Sequence, residues 1–355
     1  MLTRRLLCAS GLALSGGAAI AQTPGLHLSA PRAAHNVLAM RDGSVLFIGG
    51  CVEDSCETGP ESASVDRYDP QTRRISRIGR LLGSRMQAAV AELPDGAVLV
   101  AGGWSGGKTA SVERFDPRRG ASEQIGELSA PQVCAPLTLP GGRLLIMGDR
   151  TIDAVDTRTL AIRQLTATSP WLDSSTATLL RDGRVLVAGG RVTGQPRAEA
   201  WLVNTANGAA TPTGALAAPR RKHAAVLLND GRVLMVGGAG ANDRQNKYRS
   251  LEVYDPATGR FSRVGETIEA RFKIPDAAVK LADGRVLVAG GADYPELIDP
   301  STWKVRRVHF ALDAMLNFST AVALANGDVL VAGGYSERTI DPTDRVWIIP
   351  RALMA

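Results

Sequence analysis

Apolar residues fall along this chain in short bursts, and each burst is cut by a turn. Ala224-Ala225-Val226-Leu227-Leu228 runs into Asp230-Gly231, and Arg232-Val233-Leu234-Met235-Val236 leads out of it to Gly237-Gly238. Four or five apolar residues without polar alternation predict strands buried on both faces, joined by a tight hairpin whose dipeptide tolerates positive φ. The phrase recurs as Asp182-Gly183-Arg184-Val185-Leu186-Val187-Ala188-Gly189-Gly190, again at Asp283 through Gly291, and in four other looser copies. Fixed-period self-similarity decides the architecture ahead of local propensity, because each unit has an apolar face that only its neighbours can cover.

Seven hairpin turns fall at Asp42-Gly43, Asp95-Gly96, Gly141-Gly142, Asp182-Gly183, Asp230-Gly231, Asp283-Gly284 and Asn326-Gly327. The strands that follow end at Gly49-Gly50, Gly102-Gly103, Gly148-Asp149, Gly189-Gly190, Gly237-Gly238, Gly290-Gly291 and Gly333-Gly334. A third strand ends at a second turn, Asp69-Pro70, Asp116-Pro117, Asp156-Thr157, Asn204-Thr205, Asp255-Pro256, Asp299-Pro300 or Asp341-Pro342, where Asp or Asn bonds the backbone and Pro presets φ. A fourth strand follows, as in Gly259 to Val264 and Arg345 to Ile349. Seven four-stranded antiparallel units predict an all-β fold, a seven-bladed β-propeller. Since the seventh unit reads as owning its fourth strand, the ring is expected to close without an N-terminal strand, with residues 24 to 30 the alternative.

Composition fits this picture: 45% hydrophobic residues with 38 glycines and only 5% aromatics suit tight turns between short aliphatic strands. The first residues read differently. Thr3-Arg4-Arg5, the apolar stretch Leu6 to Ile20 and the small-x-small step before Ala21 predict a signal peptide over residues 1–21, cleaved between Ala21 and Gln22, and a mature propeller domain over 22–355. The paired arginines resemble a twin-arginine signal, a general secretory signal being the alternative, and either implies a periplasmic or secreted protein. The run is too short for a permanent membrane span. Without Arg4 and Arg5, 39 basic residues face 35 acidic ones, leaving +4. That mild charge, with no like-charge run or basic aromatic stripe, excludes nucleic acid as a partner class and fits a solvated monomer.

The Gly doublets, the steps Tyr68-Asp69-Pro70 and Tyr254-Asp255-Pro256, and the large apolar residues Ile75, Phe261 and Trp347 six past the Asp resemble the kelch repeat. Over about residues 26 to 350 the chain is similar to bacterial proteins like the central propeller of galactose oxidase. That resemblance implies kelch-type blades far more securely than it implies an activity. The copper site of that oxidase needs a Tyr followed directly by His, and no Tyr-His pair exists here. His27, His35, His223 and His309 are scattered without metal-site spacing, so no metal or other cofactor is expected.

Variation in length concentrates after the doublets, at Cys51 to Ser64, Trp104 to Ser111, Arg191 to Ala200 and Ala239 to Ser250. Insertions on one face of a repeat array mark the binding face. Trp104, Arg150, Arg191 and Tyr335 follow the doublets there, and Trp171, Arg220, Arg221 and Phe272 lie in the connections between blades, a residue set suited to stacking a sugar ring and taking its carboxylate. Arg32, Arg85, Arg220 and Lys273 stand eleven residues before the hairpin Gly, either as a basic ring lining a channel or as one scaffold cation per repeat that bonds loop carbonyls. Eight residues before the same Gly stand His35, Ala88, Cys134, Ser175, His223, Asp276 and Ser319. Of these only His223 and Asp276 offer a catalytic acid/base pair, and inner-strand residues meeting channel water are the commoner case. Cys51 and Cys56 predict a disulfide worth about 2 kcal/mol of loop closure. The function expected is a binding module taking a glycan or protein on the long-loop face. The alternative resembles the periplasmic kelch sugar epimerases and mutarotases, acting on an acidic sugar.

Overall fold

The computed structural model describes residues 25–53, 61–166, 168–242 and 245–355, so the export segment, its cleavage point at Ala21-Gln22, and Cys56 lie outside the described residues. The chain forms a seven-bladed β-propeller of four-stranded antiparallel blades. The innermost strands, Asn36–Ala39, Ala89–Glu92, Cys134–Leu139, Thr176–Leu179, Ala224–Leu227, Ala278–Lys280 and Thr320–Ala323, each contact the next around a closed ring. Second strands such as Val45–Ile48, Val98–Ala101 and Val233–Val236 are buried at every position, because blades pack against both of their faces. Outer strands expose most of their residues: Arg74–Arg80, Ala121–Glu127 and Arg260–Glu266 share one pattern of exposed and half-buried positions.

Two details differ from the sequence reading. The hairpin is a three-residue turn, not a two-residue one. In blade four Leu179 faces Val185, Leu180 and Arg184 bond across the end, and only Gly183 takes a positive φ, of 83°. Asp182 instead accepts a hydrogen bond from the Arg184 N–H at 3.0 Å, which fixes the turn from the side.

Closure is the second difference. Arg345–Ile349 is the third strand of blade seven, pairing with Val329–Ala332, and the fourth strand is Leu26–His27 from the N-terminal end. The Asp341-Pro342 step therefore precedes that third strand, and Pro342 bridges Tyr335 within the long-face connection. Trp347 reads equally well in either strand; pairing of the chain's two ends decides it.

Inside five of the seven blades a buried polar pair ties the start of the inner strand to the third strand. Arg32 meets Asp66, Arg85 meets Glu113, Arg220 meets Glu252 and Arg271 meets Glu296. Each guanidinium also donates to a doublet carbonyl, Gly49, Gly102, Gly237 or Gly290. Blade three forms its polar pair from Gln132 and Asp153. A bulge against the outer strand falls just before the carboxylate in blades one, two, three and five. In blades four and seven the corresponding positions hold apolar residues, Leu172 with Trp201 and Leu316 with Trp347.

Candidate functional site

Just ahead of the inner strand in six blades the backbone turns left-handed, two residues before it in five of them and five residues before it in blade six. Ala34, Gln87, Ser174, Lys222, Lys273 and Phe318 have φ between 50° and 62°. Such a backbone costs a non-glycine residue about 1–2 kcal/mol, and the bonds it makes offset that. The Lys222 N–H donates to the Ser174 carbonyl at 3.0 Å, Phe318 to Lys273 at 2.7 Å and Ala34 to Phe318 at 3.0 Å, so these turns link blade to blade around the axis. Outside them the residues that follow the doublets bridge back to the entering chain: Cys51 to Ala33, Trp104 to Met86, Arg191 to Asp173 and Ala239 to Arg221. Together they form a collar around the channel mouth on the long-loop face.

The collar has two halves. Blades four to six supply cations. The Lys222 ammonium stands 5.3 Å from the Phe318 ring centre and 5.7 Å from that of Phe272. Lys273 stands 5.8 Å from Phe318, 5.5 Å from Phe272 and 5.2 Å from Tyr335, whose hydroxyl it bonds. Arg221 lies 5.6 Å over Phe272, and Arg191 pairs with Asp173 at 2.5 Å. Ring faces carry negative quadrupole charge and hold these cations where a carboxylate would otherwise be required. The Lys222 amine is nonetheless pushed down from 10.5 to about 7, first by burial, then by Lys273, Arg221 and Arg191, with Asp173 acting the other way. Among the described residues the Lys222 ammonium has no hydrogen-bond or ion-pair partner.

Blades one, two and seven supply the apolar half, where Ala33, Cys51, Met86 and Tyr335 cluster with Trp104 and Phe318 packed on them. Two ion pairs strap the rim: Lys247 to Glu337 joins the connections of blades five and seven, and Lys108 to Asp149 joins blades two and three.

Of the residues singled out in the sequence, Tyr335, Arg191, Arg221, Phe272 and Trp104 come together here. Others do not. Arg85 and Arg220 are buried in the carboxylate pairs described above, which places them in the scaffold and not on the channel wall. Blade six breaks the apparent basic ring, since Arg271 occupies its scaffold position and Lys273 the collar. The cause is a two-residue insertion, Pro275-Asp276, which forms a turn ahead of the inner strand. Arg150 is exposed, and Trp171 packs into the core between blades three and four beside Val133 and Met147.

His223 and Asp276 are not joined. His223 turns toward blade four, where its Nε2 lies 3.1 Å from Thr176 Oγ1, as His35 does toward Thr320 of blade seven at 2.9 Å. Both rings lie under a neighbouring doublet: a Cβ on Gly189 would stand 2.9 Å from His223 Cε1, so the first glycine makes room for the next blade's imidazole. Burial holds both histidines at about 3, hence neutral. Asp276 lies in the turn ahead of the inner strand of blade six, open to solvent at the residue level but crowded by protein around its carboxyl, and desolvation raises that carboxyl to about 6. The disulfide expectation rests on Cys51, fully buried in the collar, and on Cys56 outside the described residues.

No protein-family model matches this sequence, and no curated protein matches it. A solved structure described as a novel fungal alcohol oxidase with catalytic diversity among the AA5 family, in complex with copper, is similar with a TM-score of 0.74. Sequence identity is 16%, and the alignment covers 92% of this chain and 76% of that one. The likeness establishes the fold alone. The residues present do not fit a copper centre: His27 sits at the outer edge with Asp344, His35 and His223 pack under glycines, and among the described residues no three of His, Cys, Asp and Glu converge.

Proposed function

We propose that this chain is an exported kelch-type binding module whose collar captures an anionic carbohydrate. The observation that carries the reading is Lys222, a cation with no counter-charge of its own among the described residues, held between Phe272 and Phe318 beside a second lysine. A ligand carboxylate would relieve that arrangement, and bringing it there would raise the affinity of the Lys222 amine for its proton. The half-buried Phe318 and Trp104 supply faces on which a pyranose ring stacks, and Arg191 and Arg221 supply forked donors for a carboxylate. Export follows from the N-terminal arginines and apolar run, and the Cys51-Cys56 bridge would brace the first long connection outside the cell.

A second reading, turnover of an acidic sugar, has one observation in its favour: an amine near neutrality can both take and give a proton at pH 7. Glycan-array binding together with a mutarotation assay on sialic and uronic acids separates the two. Binding of acidic glycans without turnover is the expected result, turnover selects the enzyme, and silence in both assays leaves a protein partner.

A further inference from the structure

Lys222 differs from the other lysines of this chain in its surroundings. Lys108 and Lys247 are engaged by Asp149 and Glu337, Lys273 by the Tyr335 hydroxyl and Lys280 by Asn229. Lys304 lies exposed on an outer strand. Lys222 alone combines partial exposure, aromatic walls on two sides, a neighbouring ammonium and a side-chain nitrogen with no bonding partner among the described residues. Its backbone is fixed in the left-handed turn, with the N–H bonded to Ser174 and the carbonyl to the Ile274 N–H, so the side chain projects from a rigid base.

We propose that Lys222 is a nucleophilic amine that condenses reversibly with the carbonyl group of an anionic ligand, an α-keto acid or the open-chain form of a sugar acid. The inference rests on the anionic-ligand reading above and adds a covalent step to it. Arg191 and Arg221 would take the ligand carboxylate and so present its carbonyl carbon to Nζ. The unprotonated amine forms the C–N bond, and the carbonyl π pair moves to oxygen, which takes up a proton. The resulting carbinolamine loses its hydroxyl with one more proton as water, leaving an imine. One amine and one carbonyl give one imine and one water, with no oxidant or reductant involved. The step needs a free amine, and the charged groups facing Lys222, namely Lys273, Arg221 and Arg191 against the single carboxylate of Asp173, supply it near pH 7.

The test uses the full mature chain with glyoxylate, pyruvate or glucuronate and sodium cyanoborohydride, which reduces an imine to a stable secondary amine, followed by peptide mass mapping. A reduced adduct on Lys222 at least tenfold above that on Lys304 is expected, with a rate that rises with pH and levels above about 7. Competitive acetylation of the same unmodified protein reads the amine directly: Lys222 should titrate well below Lys304, and Lys273→Met should move its midpoint upward. Equal labelling of Lys222 and Lys304, or a Lys222 midpoint near that of Lys304, overturns the proposal. Calorimetric binding of glucuronate without selective labelling overturns the covalent step and leaves the binding reading standing. Absence of both removes the two together.

Discussion

Blade five permits the buried ion pair to be exchanged for the apolar pair that blades four and seven already use. Arg220 and Glu252 are each about 1% exposed, and the guanidinium also holds the Gly237 carbonyl at 2.9 Å while the carboxylate accepts the Ala217 N–H at 2.8 Å. Arg220→Leu strands a buried carboxylate, and Glu252→Trp strands a buried guanidinium. Each should cost about 3–5 kcal/mol, because the remaining charge keeps its desolvation penalty without its partner. The double variant removes both charges. What remains is the Gly237 carbonyl and the Ala217 N–H without their partners, about 1–3 kcal/mol apiece. At the middle of these ranges the singles sum to about 8 kcal/mol and the double variant costs about 4, so the double should be less destabilised than the sum by a few kcal/mol, as expected for coupled contacting residues. Urea unfolding of the four proteins, compared through midpoints at a common slope, measures it. Additivity within about 0.5 kcal/mol would refute the reasoning. Loss of ligand binding in Arg220→Leu with an unchanged midpoint would instead return that arginine to the channel wall.

Three further outcomes follow from the same structure. Gly189→Ala should destabilise by clearly more than Gly183→Ala in thermal melts: both have positive φ, but only at Gly189 would the new methyl meet the Arg220 carbonyl at 2.6 Å and the His223 ring at 2.9 Å. Because His35 and His223 resist protonation down to about 3 while the unfolded chain takes up protons below about 6.5, stability should fall as pH drops through that window, by up to ~1.4 kcal/mol per pH unit for each ring. The slope should be shallower in His223→Gln, and an unchanged slope counts against the burial account. Asp276 acts in the opposite sense: its folded carboxyl is raised to about 6, so the native state holds its proton longer and stability falls as pH rises from about 4 to 6. Asp276→Asn should accordingly melt higher than the parent at pH 7 and similarly at pH 4.

The turns were legible in the sequence because the physical demand is local. Asp182-Gly183 makes its hairpin whatever lies beyond it, and Val185 to Ala188 must be buried on both faces wherever the blade sits. Ring closure was not legible, since Arg345–Ile349 suits a third or a fourth strand and only the distant Leu26–His27 decides between them. Columns counted from the hairpin glycine identified Arg32, Arg85 and Arg220 as equivalent, yet could not say that each faces a carboxylate across a bulge. The Pro275-Asp276 insertion moved Lys273 and Asp276 out of their apparent columns. Lys222 and Phe318 were passed over because they stand one residue before the column that was read, at positions where the chain changes from Ala34 to Gln87 to Ser174 without a repeating chemistry. That lack of repetition was the available signal: the scaffold needs only the left-handed backbone there, which frees the side chain for binding.

Calorimetric titration of the mature chain with glucuronate and with glucose tests the collar most directly, with Lys222→Met as comparison. Binding of glucuronate that weakens as salt is raised, silence toward glucose, and loss of at least tenfold in affinity on removing the Lys222 amine are the results predicted. Equal affinity for the two sugars, or glucuronate binding that is indifferent to Lys222→Met, would contradict the account.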